Sequence, residues 1–301
     1  MQFNRIFRLM VGVQGGEGVI IESDGKNDSL RIAFDIDKDL TQQTNKSQIA
    51  IYNLSEATRK KLEVADTICE LHVGYAEDVG LKRIFLGVVT YVTTRREGAS
   101  KVTELELSDG QIAIRDTVVS LGYSAGVAGG KVVGDVAAQM GLITQIAPDV
   151  ELTSYPSGFS FVGMGRDCLD KVMAASGATW SIQNNVLQII VAGSSTNVRI
   201  LVFAPNSGLV GSPERIIKAV KRPDEQAKKK RKVKKEKHDK KAGWRIKTLL
   251  APTVNPGDMV RVESDTVTGW FRVESLKNSG DTHGREWYTE QELIEILQDE
   301  A

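Results

Sequence analysis

The sequence predicts a mainly β protein in which two strand-rich regions flank a small α+β unit. Three observations predict it. Short runs in the first and last thirds alternate apolar and polar side chains with period two, the pattern of half-buried strands. Gly, Asn and Asp punctuate those runs at the spacing of a barrel or sandwich. Helical periodicity is concentrated between them, in the middle third. With 301 residues and 41% hydrophobic content, the chain can build cores for about two domains without disulfide or metal staples.

In the first third the expected strands are Phe7 to Val13, Val19 to Ser23, Leu30 to Asp37, Gln48 to Tyr52, Ile68 to Tyr75, Ile84 to Thr93 and Val102 to Leu107. One short amphipathic helix, Glu56 to Val64, interrupts them. Ser55 caps its free amides, and Leu62 faces inward with Ala65. The middle third offers helices at Lys131 to Met140, with Val132, Val136 and Met140 on one stripe, and at Gly163 to Ala175. A hairpin follows, Trp180 to Gln183 and Val186 to Val191, turning on Asn184 and Asn185, which tolerate positive φ.

From about Ile200 strand patterning resumes around Val202 and in Ile216 to Val220, Trp244 to Leu250, Met259 to Glu263 and Trp270 to Leu276. Asn255-Pro256-Gly257-Asp258 supplies a turn, proline setting φ and glycine accepting the positive value after it. Thr289 with Glu292 forms a capping box ahead of Leu293, Ile294 and Leu297, predicting a C-terminal helix. The expected divisions are residues 1–115, a β-barrel with one helix; 116–200, the α+β unit; and 201–301, a second barrel with a basic insertion at about 222–243 and the terminal helix.

The charge balance, 39 basic against 39 acidic residues, hides one dense block. Between Lys228 and Lys241 stand Lys228, Lys229, Lys230, Arg231, Lys232, Lys234, Lys235, Lys237, Lys240 and Lys241, with only Glu236 and Asp239 opposing them. The block is net +8, which leaves the rest of the chain net −8. Like charges this close repel and bury nothing, so an exposed, mobile insertion between two strands is expected. It is the candidate interaction site, docking on an acidic partner surface or lining part of a channel.

The remaining chemistry is a set of motifs that fail. Ala125 to Val132 lacks the first Gly and the final Ser or Thr of a phosphate loop, and Gly12 to Gly18 reads as a hairpin linker. His72, His238 and His283 have no second ligand at zinc spacing. Asp281 near His283 has no nucleophile elbow to serve. Cys69 and Cys168 form no CxxC pair and read as buried free thiols of a reducing compartment. No catalytic residue, metal or cofactor is therefore expected. Met1 to Val13 lacks the apolar run of a secretory signal, and no stretch is long and apolar enough to span a bilayer, so a soluble chain without stable membrane insertion is expected.

Several segments, in order along nearly the whole chain, resemble the baseplate hub proteins of tailed phages, particularly those with contractile tails. They are Ile49 to Arg59 (IAIYNLSEATR), Val73-Gly74-Tyr75, Phe85 to Val89 (FLGVV), Ser108-Asp109-Gly110, Trp180 to Ile189 (WSIQNNVLQI), Leu209 to Pro213 (LVGSP), Thr248 to Val260 (TLLAPTVNPGDMV), and Gly280-Asp281-Thr282 ahead of Trp287. The basic insertion departs from that pattern.

The resemblance implies a non-enzymatic structural protein of the virion baseplate, present in host cytoplasm during assembly. It implies two tail-tube-like β-barrels per subunit and a homotrimeric ring with sixfold pseudosymmetry, adapting the hexameric tail tube to the trimeric spike during genome ejection. Implied partners are the tail tube protein and the central spike protein, together with tape measure protein and baseplate wedge components. DNA would pass through the channel without specific binding, past a mildly acidic lumen. Edge strands would pair with neighbouring subunits. Two other readings stay open: a nucleic-acid-binding protein using Lys228 to Lys241, and a tail-associated cell-wall hydrolase.

Overall fold

The computed structural model describes residues 4–13, 16–23, 29–40, 45–64, 67–191, 195–196, 200–221 and 238–295. The fold is mainly β with a few helices, as the sequence predicts.

The first region runs β1 (Arg5–Gly12), β2 (Gly18–Ser23), β3 (Ile32–Asp39), β4 (Lys46–Tyr52), α1 (Glu56–Leu62), β5 (Ile68–Tyr75), β6 (Gly80–Glu97) and β7 (Ser100–Ser108). Alternation fixes which side is inside. Phe7, Leu9 and Val11 of β1, Ile32, Phe34 and Ile36 of β3, and Cys69, Leu71 and Val73 of β5 are all buried in one core. A one-residue slip would turn each set to water, and each buried aliphatic is worth roughly 1.5–3 kcal/mol, so the register is strongly specified. Ser55 accepts the Thr58 amide at 3.1 Å, capping α1, and Leu62 is buried as expected. Ala65, its expected companion, lies outside the described residues.

The middle segment comprises α2 (Gln111–Asp116), β8 (Val118–Tyr123), β9 (Val127–Ala128), α3 (Gly129–Gln139), β10 (Ile143–Ile146), β11 (Ser154–Tyr155), β12 (Phe159–Met164), α4 (Gly165–Ser176), β13 (Ala178–Gln183) and β14 (Val186–Val191). Val132 and Val136 of α3 join Leu169 and Val172 of α4 in a second core, together with Trp180, Ile182, Leu187 and Ile189. The β13–β14 hairpin turns on Asn184 (φ 50°) and Asn185 (φ 68°), the two positive values a two-residue turn requires. The helix expected from Gly163 begins two residues later, because Gly163 and Met164 still pair with Val119 and Val118 in a ribbon of β8 and β12.

The last region runs β15 (Ile200–Phe203), β16 (Leu209–Lys221), β17 (His238–Leu249), β18 (Met259–Glu263), β19 (Thr268–Asp281) and β20 (Trp287–Glu295), around a third core of Phe203, Ile246, Val260, Val262, Phe271 and Leu293. The expected C-terminal helix is corrected here: residues 287–295 are a strand, paired with β17 on one side and β19 on the other. Thr289 caps nothing. Its hydroxyl is fully buried, donating to Asn278 Oδ1 at 2.7 Å and accepting the Ala251 amide at 2.9 Å. Two finished ladders satisfy the backbone of this stretch, which outweighs its local helix signals.

One sheet unites the first and last regions in the order β16-β17-β20-β19-β3-β4-β7-β6-β5-β1-β2, with β18 on β19 and β15 parallel to β18. The joint is the antiparallel β3–β19 ladder, from Ser275 opposite Asp39 to Asp281 opposite Ala33.

Candidate assembly surfaces

Where the two β regions meet, the outward side of β3, β19, β20 and β17 carries charge in cross-strand rows. Asp39, Ser275, Glu292 and Arg245 stand in one row, and Asp37, Lys277, Glu290 and Lys247 in the next. Lys277 pairs with Asp35 at 3.2 Å, Lys247 with Glu290 at 3.1 Å and Arg245 with Glu292 at 3.1 Å. Between the rows lies an open cleft of about 420 Å³. Lost water in the cleft raises the Asp37 carboxyl above its usual range; Lys277 opposes this, and Asp35 and Asp39 add to it. Exposed ion pairs contribute only about 0–1 kcal/mol each, so this face adds little to stability. Its five carboxylates against three cations make a mildly acidic wall.

The main run of the sheet ends in β2 and β16, each laddered on one side only among the described residues, as is β15 on the β18 branch. Apolar side chains stand in solvent at both ends: Ile20 is 64% exposed and Ile217 74%. The β8–β12 ribbon adds Val118 and Val162, 65% and 77% exposed. Unpaired backbone next to exposed apolar side chains is the chemistry of surfaces that another chain covers.

The basic segment joins β16 to β17. Their ladder runs out to Lys221 opposite His238, so the segment lies between two paired strands. Lys228, Lys229, Lys230, Arg231, Lys232, Lys234, Lys235 and Lys237 lie outside the described residues. Lys240 and Lys241 are β17 residues, opposite Ala219 and Lys218. The expected insertion of about 222–243 is therefore corrected at its end: from His238 onward the chain is strand, laddered against Lys218 to Lys221 of β16.

Other candidates resolve into structure. Gly129, in the loop that resembled a phosphate site, lets α3 start against the Thr153 carbonyl, which accepts its amide at 3.0 Å. His72 bonds Glu70 at 2.8 Å beside Arg83. Asp281 does not orient the His283 ring: its Oδ1 accepts the backbone amides of His283 and Gly284, and Arg31 holds both its oxygens. Cys69 and Cys168 are free and buried, and burial raises both thiols, Cys168 to about 11, so neither forms thiolate readily. Among the described residues no three His, Cys, Asp or Glu side chains gather as a metal set, and no helix is long and apolar enough to cross a membrane.

Comparison with known proteins gives likeness of fold. No protein-family model and no curated protein matches the sequence. Among solved structures, the tail protein from Neisseria meningitidis MC58 is similar over 96% of both chains, with TM-score 0.61 and 12% identity. A 43 kDa tail protein of prophage MuSo2 from Shewanella oneidensis is similar over 97% of this chain and 98% of its own, with TM-score 0.60 and 11% identity. An E. coli type VI secretion component, described as structurally similar to the T4 bacteriophage tail proteins gp27 and gp5, covers 91% of this chain and 76% of its own, at TM-score 0.56 and 10% identity.

Proposed function

We propose that this chain is a structural baseplate hub subunit of a phage tail or related injection machine. The carrying observation is the likeness of fold to the Neisseria tail protein over 96% of each chain. A chain with the architecture of a tail protein does its work through geometry and interfaces.

In this reading the chain divides near residues 115 and 200, and the two β regions are tube-like barrels. Three copies make a ring of six similar barrels, stacking on a hexameric tube on one side and a threefold spike on the other. The β3–β19 ladder supports the reading, because it holds the two β regions in one fixed relation, which sixfold imitation demands. The exposed edges at β2 and β16 supply surfaces between copies. The acidic wall of β3, β19, β20 and β17 faces the channel, where it keeps DNA from sticking. The protein is non-enzymatic, assembles in host cytoplasm and ends in the virion, beside tube, spike, tape measure and wedge components. The basic segment docks on an acidic neighbour.

Electron microscopy of particles carrying a tag on this chain tests the proposal. Threefold density between tube and spike is the expected result. A label on the capsid, or purified particles without the chain, would overturn it. Mass measurement of the assembled ring checks the count of three independently.

A further inference from the structure

A buried polar joint lies where the middle segment meets both β regions. The hairpin β13–β14 is two-faced: Trp180, Ile182, Leu187 and Ile189 enter the second core, while Ser181, Gln183 and Gln188 are buried on the other side. Gln183 Nε2 donates to the Asp39 carbonyl, and the Asn184 amide donates to Asp109 Oδ2 at 2.7 Å. From the core side of β3, Lys38 reaches Asn255 Oδ1 at 3.0 Å in the last region. Lys38 and Asp109 are each only 3% exposed.

The joint leaves three oxygens unpaired. Asp109 Oδ1, Gln183 Oε1 and Asn184 Oδ1 are buried acceptors, and none receives a hydrogen bond. Buried polar atoms are almost always paired, so three orphans in one turn and the residue that anchors it call for an explanation. For Asp109, a carboxyl with an unpaired buried oxygen costs least in its neutral, protonated form.

We propose that this joint is a proton-operated latch: a proton on Asp109 removes the cost of burying a charged carboxyl with one oxygen unpaired, so the protonated form keeps the Asn184–Asn185 turn fastened to the β body, and loss of that proton loosens it. The groups facing Asp109 are the backbone amides of Asn184 and Asn185 and the cations Lys38 and Arg83; those facing Lys38 are Asp109, Asp258 and Arg83. Burial raises the Asp109 carboxyl to about 6 against those amides and cations. Burial likewise lowers the Lys38 ammonium to about 8 against Asp109 and Asp258. The sign follows. A carboxyl that titrates higher in the closed joint than in the open one binds its proton more tightly when closed, so the closed form is favoured below about pH 6 and loses that advantage as pH rises through 6.

Hydrogen exchange on the full chain, corrected for the chemical rate at each pH, tests this at the Asn184 and Asn185 amides and in α2. One proton titrating near 6 makes protection fall roughly tenfold from pH 5 to pH 7. Asp109→Asn, neutral and carrying its own donor, is expected to keep the pH 5 protection at both values. Lys38→Met removes a charge that favours the carboxylate, so the loss of protection should shift to higher pH. Equal protection at pH 5 and 7 in the parent, an unchanged ratio in Asp109→Asn, or a downward shift in Lys38→Met would each overturn the latch.

Discussion

Arg31 and Asp281 clasp the first and last β regions together: Nη2 lies 2.6 Å from Oδ2 and Nε 3.1 Å from Oδ1, while the guanidinium lies 4.3 Å above the Tyr52 ring. Burial works against the Asp281 charge, yet Arg31 and the amides of His283 and Gly284 overcome it and hold the carboxyl below its usual range. Because the folded value is depressed, this stability is present above about pH 4 and is lost as pH falls through the folded value. Asp281→Asn should cost about 1–2 kcal/mol in urea unfolding at pH 7, with the gap to the parent closing in acid. Arg31→Lys should lose much of the same, since an ammonium offers neither the fork nor the stacking plane.

Gly280 sits where β19 crosses from β20 to β3, opposite Phe34 on one side and Trp287 on the other. Those two rings meet edge to face at 5.4 Å, and a Cβ on residue 280 would fall 2.8 Å from Trp287 Cε3 and closer still to the Phe34 ring. Gly280→Ala is expected to cost about 1–3 kcal/mol through overpacking. Adding Phe34→Leu should recover part of the loss, so calorimetry of the double variant should show less damage than the sum of the singles.

Much of this arrangement was legible because alternation in β1, β3 and β5 is carried by apolar residues that all point into one core. The Asn184–Asn185 turn was legible for a local reason, that few residues tolerate its φ values. β20 was misread because two of its inward positions, Thr289 and Gln291, are polar; they break the apolar alternation, while Glu290 and Glu292 on the outside suit a helix. The ribbon of β8 and β12 was missed because Val118 and Val162 are apolar on its outer face too. The Lys38–Asp109 joint left no signal, since Lys38 stands among Asp35, Asp37 and Asp39 and reads as one more surface charge. Its burial comes from contacts with residues beyond position 180, far along the chain.

Thr289 separates the strand from the helix experimentally. Thr289→Val keeps the shape and removes the hydroxyl, leaving Asn278 Oδ1 and the Ala251 amide short of their partners, at an expected cost of about 2–4 kcal/mol. Helix content by circular dichroism should not change. A lost helical signal with little loss of stability, the result a frayed cap gives, would contradict the strand. Glu292→Ala, which removes the contacts to Arg245 and Ser275 on the outward face, should cost no more than about 1 kcal/mol.

The basic segment is separable from the fold that bears it, because the β16–β17 ladder closes at Lys221 and His238. Replacing residues 222–237 with Asn-Gly makes a two-residue hairpin turn there, and the trimmed chain should unfold within about 0.5 kcal/mol of its parent. If the segment docks on an acidic neighbour, trimmed chains should enter particles poorly while folding normally, which quantitative mass spectrometry of purified particles reads directly. If it binds nucleic acid, the parent should hold DNA with an affinity that falls steeply with salt, and trimming eight of the ten clustered cations should flatten that slope. Normal incorporation of the trimmed chain would remove the segment from assembly and leave the sheet edges at β2 and β16 to carry it.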